Sequence, residues 1–276
     1  MKFGIDKLKV LAYRIYSDFI RPSRLNEWHL FLQTVLDNGY EIHSVASFWD
    51  VLNSNQLSEK KKYFILRHDI DTDTSTARKM WEIEKQLQVT SSHYFRLSTI
   101  DISLMQEIDN YGGEASYHFE ELATYAKTIG ITDKEEVLGH LDIIRAMFKK
   151  NLEALREQTG IPMRTVASHG DWMNRQLGVT NCVILDDKNF RKELRLELEV
   201  YDPEFMNAVT SRHADAPYPV FWNPNNPLNA IQNQEKVIYL LVHPRQWRAN
   251  ILVNLIDNLY RVWEGVIFFF KTYWKN

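Results

Sequence analysis

Several features are scarce or missing in this sequence, and each scarcity narrows the class of protein. The 276 residues contain a single cysteine, Cys182, which excludes an internal disulfide and suits a reducing compartment. The charges nearly balance, with 33 basic and 36 acidic side chains and a net charge of -3. The broad positive surface of a nucleic-acid-binding protein is therefore missing, and we expect no nucleic acid as a partner.

Long apolar runs are missing as well. No stretch reaches the ~18 uncharged apolar residues that a membrane-spanning helix needs. The first nine residues, Met-Lys-Phe-Gly-Ile-Asp-Lys-Leu-Lys, carry charges throughout what would have to be the apolar segment of a signal peptide. We therefore expect a cytoplasmic protein.

The sequence has instead the pattern of a globular protein in which strands and helices alternate. Short apolar runs such as residues 63–70 and 237–242 are separated by helical patterns, which predicts about seven strands in a parallel sheet, closed into a barrel or wound open. We interpret residues 1–276 as one α/β domain, with an amino-terminal helical layer in residues 1–60. Residues 181–185 and 208–211 are also predicted as strands, and residues 201–229 as a long irregular loop.

Chemically useful side chains stand at the ends of four predicted strands. Asp69 and Asp71 end the first of these strands, and His118, His169 and His243 each end another short apolar run. Because the carboxyl ends of parallel strands meet at one rim of such folds, these side chains are expected to share that rim. A carboxylate and imidazoles with one open position are the ligand set of a catalytic zinc or a similar divalent ion.

The aspartate pair taken alone has a second explanation. Side chains alternate along a strand, so Asp69 and Asp71 face the same way, and two like charges this close favour a nearby cation. Residues 71–76 are also rich in helix-capping residues, so a helix N-cap explains the pair equally well. Arg67 lies on the same face and either orients Asp69 or forms a plain buried ion pair with it.

Five motifs follow one another between about residue 62 and residue 247. In this order they resemble the polysaccharide deacetylase superfamily, the NodB-like metal-dependent deacetylases of the carbohydrate esterase family 4 type. The resemblance is strongest to divergent members with an Arg-His-Asp-x-Asp opening, which occur in bacterial surface-polysaccharide gene clusters. The motifs are Leu66-Arg-His-Asp-Ile-Asp, Ser91-Ser-His-Tyr-Phe-Arg-Leu, Gly113-Glu-Ala-Ser-Tyr-His-Phe-Glu, Ser168-His-Gly and Val242-His-Pro-Arg-Gln-Trp.

The resemblance implies a fold, a cofactor and roles for individual residues. It implies a distorted (β/α)7 barrel that holds a divalent metal, with zinc as the first candidate. Asp69 takes the role of catalytic base, Asp71 and His118 those of metal ligands, and His243 that of general acid. The implied reaction removes an N-acyl group, such as acetyl, from an amino sugar or a glycan precursor, which is free, nucleotide-linked or lipid-linked.

One position departs from the family pattern. The second histidine of the family's His-x-x-x-His metal motif would fall on position 122, which is Leu122 here. Either the metal is lost, or a third protein ligand comes from another segment. We expect His169 to supply it, because Ser-His-Gly at a strand end places an imidazole at the same rim, and Glu121 is the alternative.

Two further questions stay open at the level of sequence. The general acid His243 needs a carboxylate to fix its tautomer and raise its pKa, and Asp186, Asp187 and Asp215 are equal candidates. The same scaffold could also serve a deformylase, an O-ester hydrolase, or a metal-free carbohydrate-binding protein that lost its ligand at Leu122.

The last predicted helix, about residues 248–270, carries an apolar stripe. A helix that packs on the core of a barrel explains this stripe. The aromatic residues beyond it would also suit a peripheral contact with a membrane surface or a subunit contact. The stripe consists of Leu252, Leu255, Ile256, Leu259, Trp263, Val266, Ile267 and Phe270.

Overall fold

The computed structural model of the protein describes residues 2–273, and their side chains from Leu8 onward. Within this range the strands are β1 (Tyr40–His43), β2 (Lys62–Ile70), β3 (Ser92–Phe95), β4 (Glu114–Phe119), β5 (Thr165–Ser168), β6 (Leu198–Glu199), β7 (Ser211–Asp215), β8 (Trp222–Asn223) and β9 (Val237–Val242). The α-helices are α1 (Lys2–Ile15), α2 (Leu25–Asp37), α3 (Val45–Asn53), α4 (Thr74–Gln86), α5 (Ile102–Asn110), α6 (Glu121–Ile129), α7 (Lys134–Leu138), α8 (Leu141–Thr159), α9 (Trp172–Leu177), α10 (Lys188–Glu193), α11 (Pro203–Met206), α12 (Pro227–Gln232) and α13 (Ile251–Tyr273). A π-helical turn (Tyr16–Ile20) and three 3₁₀ segments (Leu97–Thr99, Asn181–Leu185 and Pro244–Gln246) complete the described elements.

Seven strands lie side by side in the order β6-β5-β4-β3-β2-β9-β7, and neighbouring strands in this row are parallel. The short strand β8 extends the row antiparallel to β7, and β1 pairs with the first half of β2. The sheet is curled like a half-barrel, with helices on its outer side. The predicted fold class, a distorted (β/α) barrel, is confirmed, and the row contains the seven parallel strands that the sequence motifs imply.

Strand β2 occupies the middle of the sheet because it is apolar on both faces. Tyr63 and Ile65 point into the interior of the curl, whereas Phe64 and Leu66 pack under the outer helices, and all four are buried. Strands that are covered on both faces read as continuous apolar runs, as this one does. The burial fixes the register of β2 and brings its last residues to the carboxyl rim of the sheet.

The helix after β2 is capped by a residue other than the aspartate pair. Asp73 precedes α4, and its carboxylate accepts a hydrogen bond from the backbone N–H of Thr76 at 3.0 Å. This is the usual N-cap arrangement, which satisfies an amide at the start of a helix. The capping explanation of the sequence therefore applies to Asp73, and it leaves Asp69 and Asp71 available for another role.

Three local predictions differ from the structure. Residues 181–185 form a 3₁₀ segment rather than a strand, since a short apolar run fits both structures by pattern alone. The strand predicted at 208–211 begins at Ser211 and continues to Asp215. The predicted loop of residues 201–229 contains three short elements, α11, β7 and β8, and the start of α12. The extra length of β7 matters, because it carries Asp215 to the rim.

The predicted core packing of the last helix is also wrong. Most of the apolar stripe of α13 faces solvent, with Leu259 and Trp263 each 62% exposed. Only Asn254 and Phe268 of this helix are buried. In the part of the chain that the structure describes, none of the helices has the length and hydropathy that crossing a membrane would require.

Candidate metal centre

The predicted site residues meet at the carboxyl rim of the sheet. Asp69 lies in β2 and Asp71 directly follows it, His118 lies near the end of β4, His169 follows β5, and His243 follows β9. The Nε2 atom of His118 is 3.3 Å from Asp69 Oδ2 and 3.4 Å from Asp71 Oδ1. Nε2 of His243 is 4.0 Å from Asp71 Oδ2. The sheet thus brings together residues that are up to 174 positions apart in the chain.

Asp71, His118 and His169 have the spacing of metal ligands. Asp71 Oδ1 is 3.4 Å from Nε2 of His118 and 3.6 Å from Nε2 of His169, and the three ligand atoms lie within 4.8 Å of one another. Two ligand atoms of a tetrahedral zinc site, each about 2.0–2.1 Å from the ion, are roughly 3.3–3.4 Å apart. Asp71 Oδ1 is also buried without a hydrogen bond, as expected of an oxygen whose partner is a cation.

Hydrogen bonds on the far side of both imidazoles leave their Nε2 atoms free. Nδ1 of His118 is 2.9 Å from the carbonyl oxygen of Ala167, and Nδ1 of His169 is 3.0 Å from Glu120 Oε2. A carbonyl or carboxylate in this position accepts the Nδ1 proton, so the lone pair of Nε2 points into the site. The donor set is therefore one carboxylate and two neutral imidazoles, which fits a divalent ion of the zinc type.

The electrostatics of the site couple Asp71 closely to His169. Burial raises the pKa of Asp71, but the neighbouring His169 and His118 outweigh it and hold that pKa well below its ordinary value. Burial lowers the pKa of His169, but Asp71 and Glu120 outweigh it and raise the pKa to about 9. A proton and a divalent ion would consequently compete for Nε2 of His169.

Glu120 is a site residue that sequence reasoning missed. Its carboxylate holds His169 on one side and accepts hydrogen bonds from Arg96 at 2.6 and 2.8 Å on the other. Burial raises the pKa of Glu120, but the bond from His169 and the charge of Arg96 lower it to about 2, so it is ionised. The signal was present in the sequence, since Glu120 stands two residues after His118 and strand side chains repeat with period two.

Asp69 differs from the three candidate ligands, because both of its carboxylate oxygens are bound by Arg67. Nε and Nη2 of Arg67 each donate to one oxygen of the carboxylate at 2.7 Å, and Nη1 donates to the hydroxyl of Tyr239 at 2.9 Å. Both charged side chains are buried. Burial raises the pKa of Asp69, but the Arg67 guanidinium, His118 and His243 together outweigh it and lower the pKa, so the carboxylate is ionised.

Asp215 at the end of β7 is the carboxylate partner of His243. One oxygen accepts from Nδ1 of His243 at 2.7 Å, and the other accepts from the backbone N–H of His243 at 2.7 Å and from Nε1 of Trp247 at 3.1 Å. Burial lowers the pKa of His243, but Asp215, with Asp71 and Asp69, outweighs it and raises the pKa to about 10. The other two candidates from the sequence, Asp186 and Asp187, are exposed and lie elsewhere, with Asp187 capping α10.

Leu122, at the position where the motif pattern has its second histidine, belongs to the apolar core. Leu122 is fully buried in the apolar core under α6. Glu121, the alternative third ligand, is also buried, but its carboxylate accepts hydrogen bonds from the hydroxyl of Tyr117 and from Asn151. Of the two candidates for the third ligand, His169 is the one whose ligand atom lies beside Asp71 and His118.

A second group of ligand-type residues lies deeper in the fold. His68, Glu84 and His93 are completely buried, and Nε2 of His68 is 2.9 Å from Glu84 Oε1. The two imidazole rings are stacked, with centroids 4.3 Å apart and planes 3° from parallel. The lone pairs of parallel stacked rings do not converge on one point, so this geometry does not suit a metal. It suits a buried structural contact that joins strands β2 and β3 to helix α4, which carries Glu84.

Two solved structures are similar to this chain at low sequence identity. One is the Streptococcus pyogenes deacetylase PplD in complex with acetate, with 16% identity over 63% of this chain and 70% of that chain and a TM-score of 0.44. The other is the Xyl-CE4 domain of a multidomain xylanase from the hindgut metagenome of Trinervitermes trinervoides, with 12% identity over 72% and 83% of the two chains and a TM-score of 0.34. No protein-family model and no curated protein sequence matches the chain. The likeness to the two structures is one of fold.

Proposed function

We propose that the protein is a cytoplasmic, metal-dependent hydrolase that removes an N-acyl group such as acetyl from an amino sugar or glycan precursor in surface polysaccharide synthesis. The observation that carries the proposal is the convergence of Asp71, His118 and His169 at ligand spacing, with Asp69 and His243 on either side. The ordered motifs that resemble polysaccharide deacetylases supply the reaction class.

The three residues Asp71, His118 and His169 would hold the ion. A divalent ion held there supplies Lewis-acid polarisation of the substrate carbonyl and makes water acidic enough to react near neutral pH. The remaining chemistry is proton transfer, and it falls to two side chains of the protein.

Asp69 is placed to act as the base. Arg67 holds both carboxylate oxygens in one orientation and keeps the group ionised, while Oδ2 also lies 3.3 Å from His118 Nε2, at the edge of the ligand cluster. As the oxygen of water bonds to the carbonyl carbon, a proton of that water passes to Asp69. A positioned base of this kind contributes about 10²–10⁴-fold to the rate.

His243 is placed to act as the acid. Its Nδ1 proton is held by Asp215, and Nε2 points toward Asp71 and the site. When the carbon–nitrogen bond breaks, the departing nitrogen takes the proton from Nε2, which leaves a carboxylic acid and a free amine. The raised pKa of His243 means that this proton is present at neutral pH.

A direct assay separates this reaction from the alternatives on the same scaffold. Zinc-loaded protein is incubated with N-acetylated amino sugars in free, nucleotide-linked and lipid-linked form, with N-formyl analogues and with O-acetyl sugars, and the released acid and amine are quantified by mass spectrometry. We expect acetate and amine in equal amounts, and about 10²–10⁴-fold less with Asp69→Asn or His243→Gln.

His29→Gln provides the matched control, because His29 lies on α2, outside the site. Release of formate or of O-linked acetate alone would replace the deacetylase assignment by one of the other hydrolases. Sugar binding without any release, unchanged in Asp71→Ala and His118→Ala, would establish the metal-free binding protein instead.

A further inference from the structure

Helix α13 carries its polar side chains against the protein and its apolar side chains in solvent. Nδ2 of the buried Asn254 donates to the backbone oxygen of Asp18 at 2.7 Å, and Glu264 forms an ion pair with Lys127 at 2.8 Å. Asp257 is likewise turned inward and paired with Arg245. A surface helix of a water-soluble domain has the opposite arrangement, with its apolar stripe on the core.

The exposed side of α13 is apolar and aromatic along its length. Six of the side chains in its predicted stripe are 45–67% exposed, which is a contiguous patch rather than scattered single residues. Tyr260, Phe269 and Tyr273 extend the patch. The six are Leu252, Leu255, Ile256, Leu259, Trp263 and Phe270.

Helix α1 continues the same surface. Arg14 joins the two helices, since its Nη2 donates to Oδ1 of Asn258 at 2.9 Å. Leu8, Val10 and Leu11 of α1 are 55–67% exposed. We call the exposed apolar residues of α1 and α13 together the α1–α13 face.

The exposed charges on this face have one sign. Lys9 and Arg14 on α1 and Arg261 and Lys271 on α13 are exposed, and of these Arg14 and Arg261 also pair with the inward Asp18 and Asp257. Among the described side chains from residue 8 to 20 and from 251 to 273, each aspartate or glutamate is turned inward and paired. An apolar and aromatic helix surface with basic residues is the composition that binds the interface of an anionic membrane.

We propose that the α1–α13 face docks on the surface of a membrane that contains anionic lipid. A second copy of the chain is a poorer occupant, because a two-fold interface through this face would bring basic side chains of both copies together. Aromatic residues at the end of α13 suit the headgroup level, where one side of the ring is apolar and the other wet.

The face is continuous with the mouth of the site. The cavity that contains Asp69, Asp71 and His243 is also lined by Tyr13 of α1 and Arg261 of α13. When the protein is docked through this face, the mouth of the cavity would therefore lie at the lipid surface, where the sugar of a lipid-linked precursor lies. This last step rests on the proposed function, whereas the docking itself does not.

Vesicle sedimentation tests the docking without any substrate. Full-length protein is mixed with vesicles of phosphatidylcholine, or of phosphatidylcholine with about one third phosphatidylglycerol, and the pelleted fraction is measured. We expect binding to the anionic vesicles, weakened by added salt. The double variant Leu259→Asp, Trp263→Asp should lose about tenfold or more of this binding, since it places two charges in the apolar face.

Leu30→Asp is the matched control, because Leu30 is 65% exposed on α2, outside the α1–α13 face. Circular dichroism confirms that each variant is folded, and analytical ultracentrifugation measures the mass of each. The proposal is overturned if the double variant binds anionic vesicles as well as Leu30→Asp does. It is also overturned if the wild type binds neither kind of vesicle and forms a dimer, while the double variant is monomeric. The occupant of the face is then a second copy of the chain.

Discussion

Arg67 and Asp69 face each other inside the curl of the sheet, with two N–O distances of 2.7 Å between guanidinium and carboxylate. The two side chains come from the same strand, two residues apart, and both are buried. The guanidinium matches the planar carboxylate at two points, which fixes the direction in which Asp69 presents its oxygens.

Removing Arg67 should destabilise the fold strongly. Arg67→Met leaves the Asp69 carboxylate buried without its partner, so we expect the free energy of unfolding to fall by about 3–5 kcal/mol. Arg67→Met combined with Asp69→Asn should recover part of that loss, because the uncompensated charge is gone. Urea denaturation followed by circular dichroism measures both.

The half-exposed pair of Arg78 and Glu107 is the control, and Arg78→Met should lower the free energy of unfolding by less than about 1 kcal/mol. An equal cost for the two arginines would contradict this account.

Glu120 should act on the metal through His169. Glu120→Gln removes the charge that holds the Nδ1 proton of His169, so we expect the affinity for zinc to fall about 10–100-fold. Competition with a chromophoric chelator measures the affinity. Glu121→Gln is the neighbouring control, since Glu121 accepts from Asn151 rather than from a candidate ligand. A larger loss of affinity in Glu121→Gln would make Glu121, and not His169, the third ligand.

Asp215 should set both the rate and its dependence on pH. Asp215→Asn removes the carboxylate that raises the pKa of His243, so the protonated acid disappears at a lower pH. We expect kcat to fall about 10²-fold near neutral pH and the alkaline limb of the pH–rate profile to move to lower pH. The exposed Asp186 offers a control, and Asp186→Asn should leave the profile in place. An unshifted alkaline limb in Asp215→Asn would separate Asp215 from the proton transfer.

The Asp18 carboxylate should stabilise the fold at neutral pH and lose this effect in acid. Its carboxylate accepts from Arg245 at 2.8 and 3.1 Å and from Asn258 at 3.0 Å, which ties the chain after α1 to α13. Burial raises the pKa of Asp18, but these bonds outweigh it and lower the pKa in the folded state. The stabilisation is therefore complete above the unfolded pKa of about 3.9 and is lost as pH falls through the lower folded value.

Asp18→Asn makes this dependence measurable. Near pH 7 we expect the variant to be less stable than the wild type by on the order of 1–3 kcal/mol, the usual worth of hydrogen bonds to a charged group. The difference should shrink as the pH falls below about 4. Urea denaturation at several pH values gives the difference directly, and a gap that widens toward acid would contradict the assigned sign.

Much of the rim could be predicted from the sequence because parallel strands end at a common edge. Asp69, Asp71, His118 and His243 each end a recognisable apolar run, so a one-dimensional pattern was enough to place them together. His169 was also expected at the rim, and the structure places its Nε2 atom 3.6 Å from Asp71. The roles of these residues in metal binding and catalysis stay predictions until they are measured.

Other features could not be read from a pattern. Helical periodicity shows that α13 has an apolar stripe, but it does not show which side of the helix faces the protein. The ion pairs of Asp257 and Glu264 turn the polar side of the helix inward. Asp215 could not be ranked above Asp186 and Asp187, because it reaches His243 only through the pairing of β7 with β9. The 3₁₀ segment Asn181–Leu185 could not be distinguished from a strand, because its apolar run of four residues is too short to show a period.

The central claim is that Asp71, His118 and His169 together hold a divalent ion. The most direct test is elemental analysis by mass spectrometry of protein stripped with a chelator, reloaded with excess zinc and passed through a desalting column. We predict a stoichiometric ion in the wild type and in His29→Gln, and its loss in His169→Gln and Asp71→Asn, with the fold retained by circular dichroism. Full metal content in His169→Gln, or none in the wild type, would contradict the account.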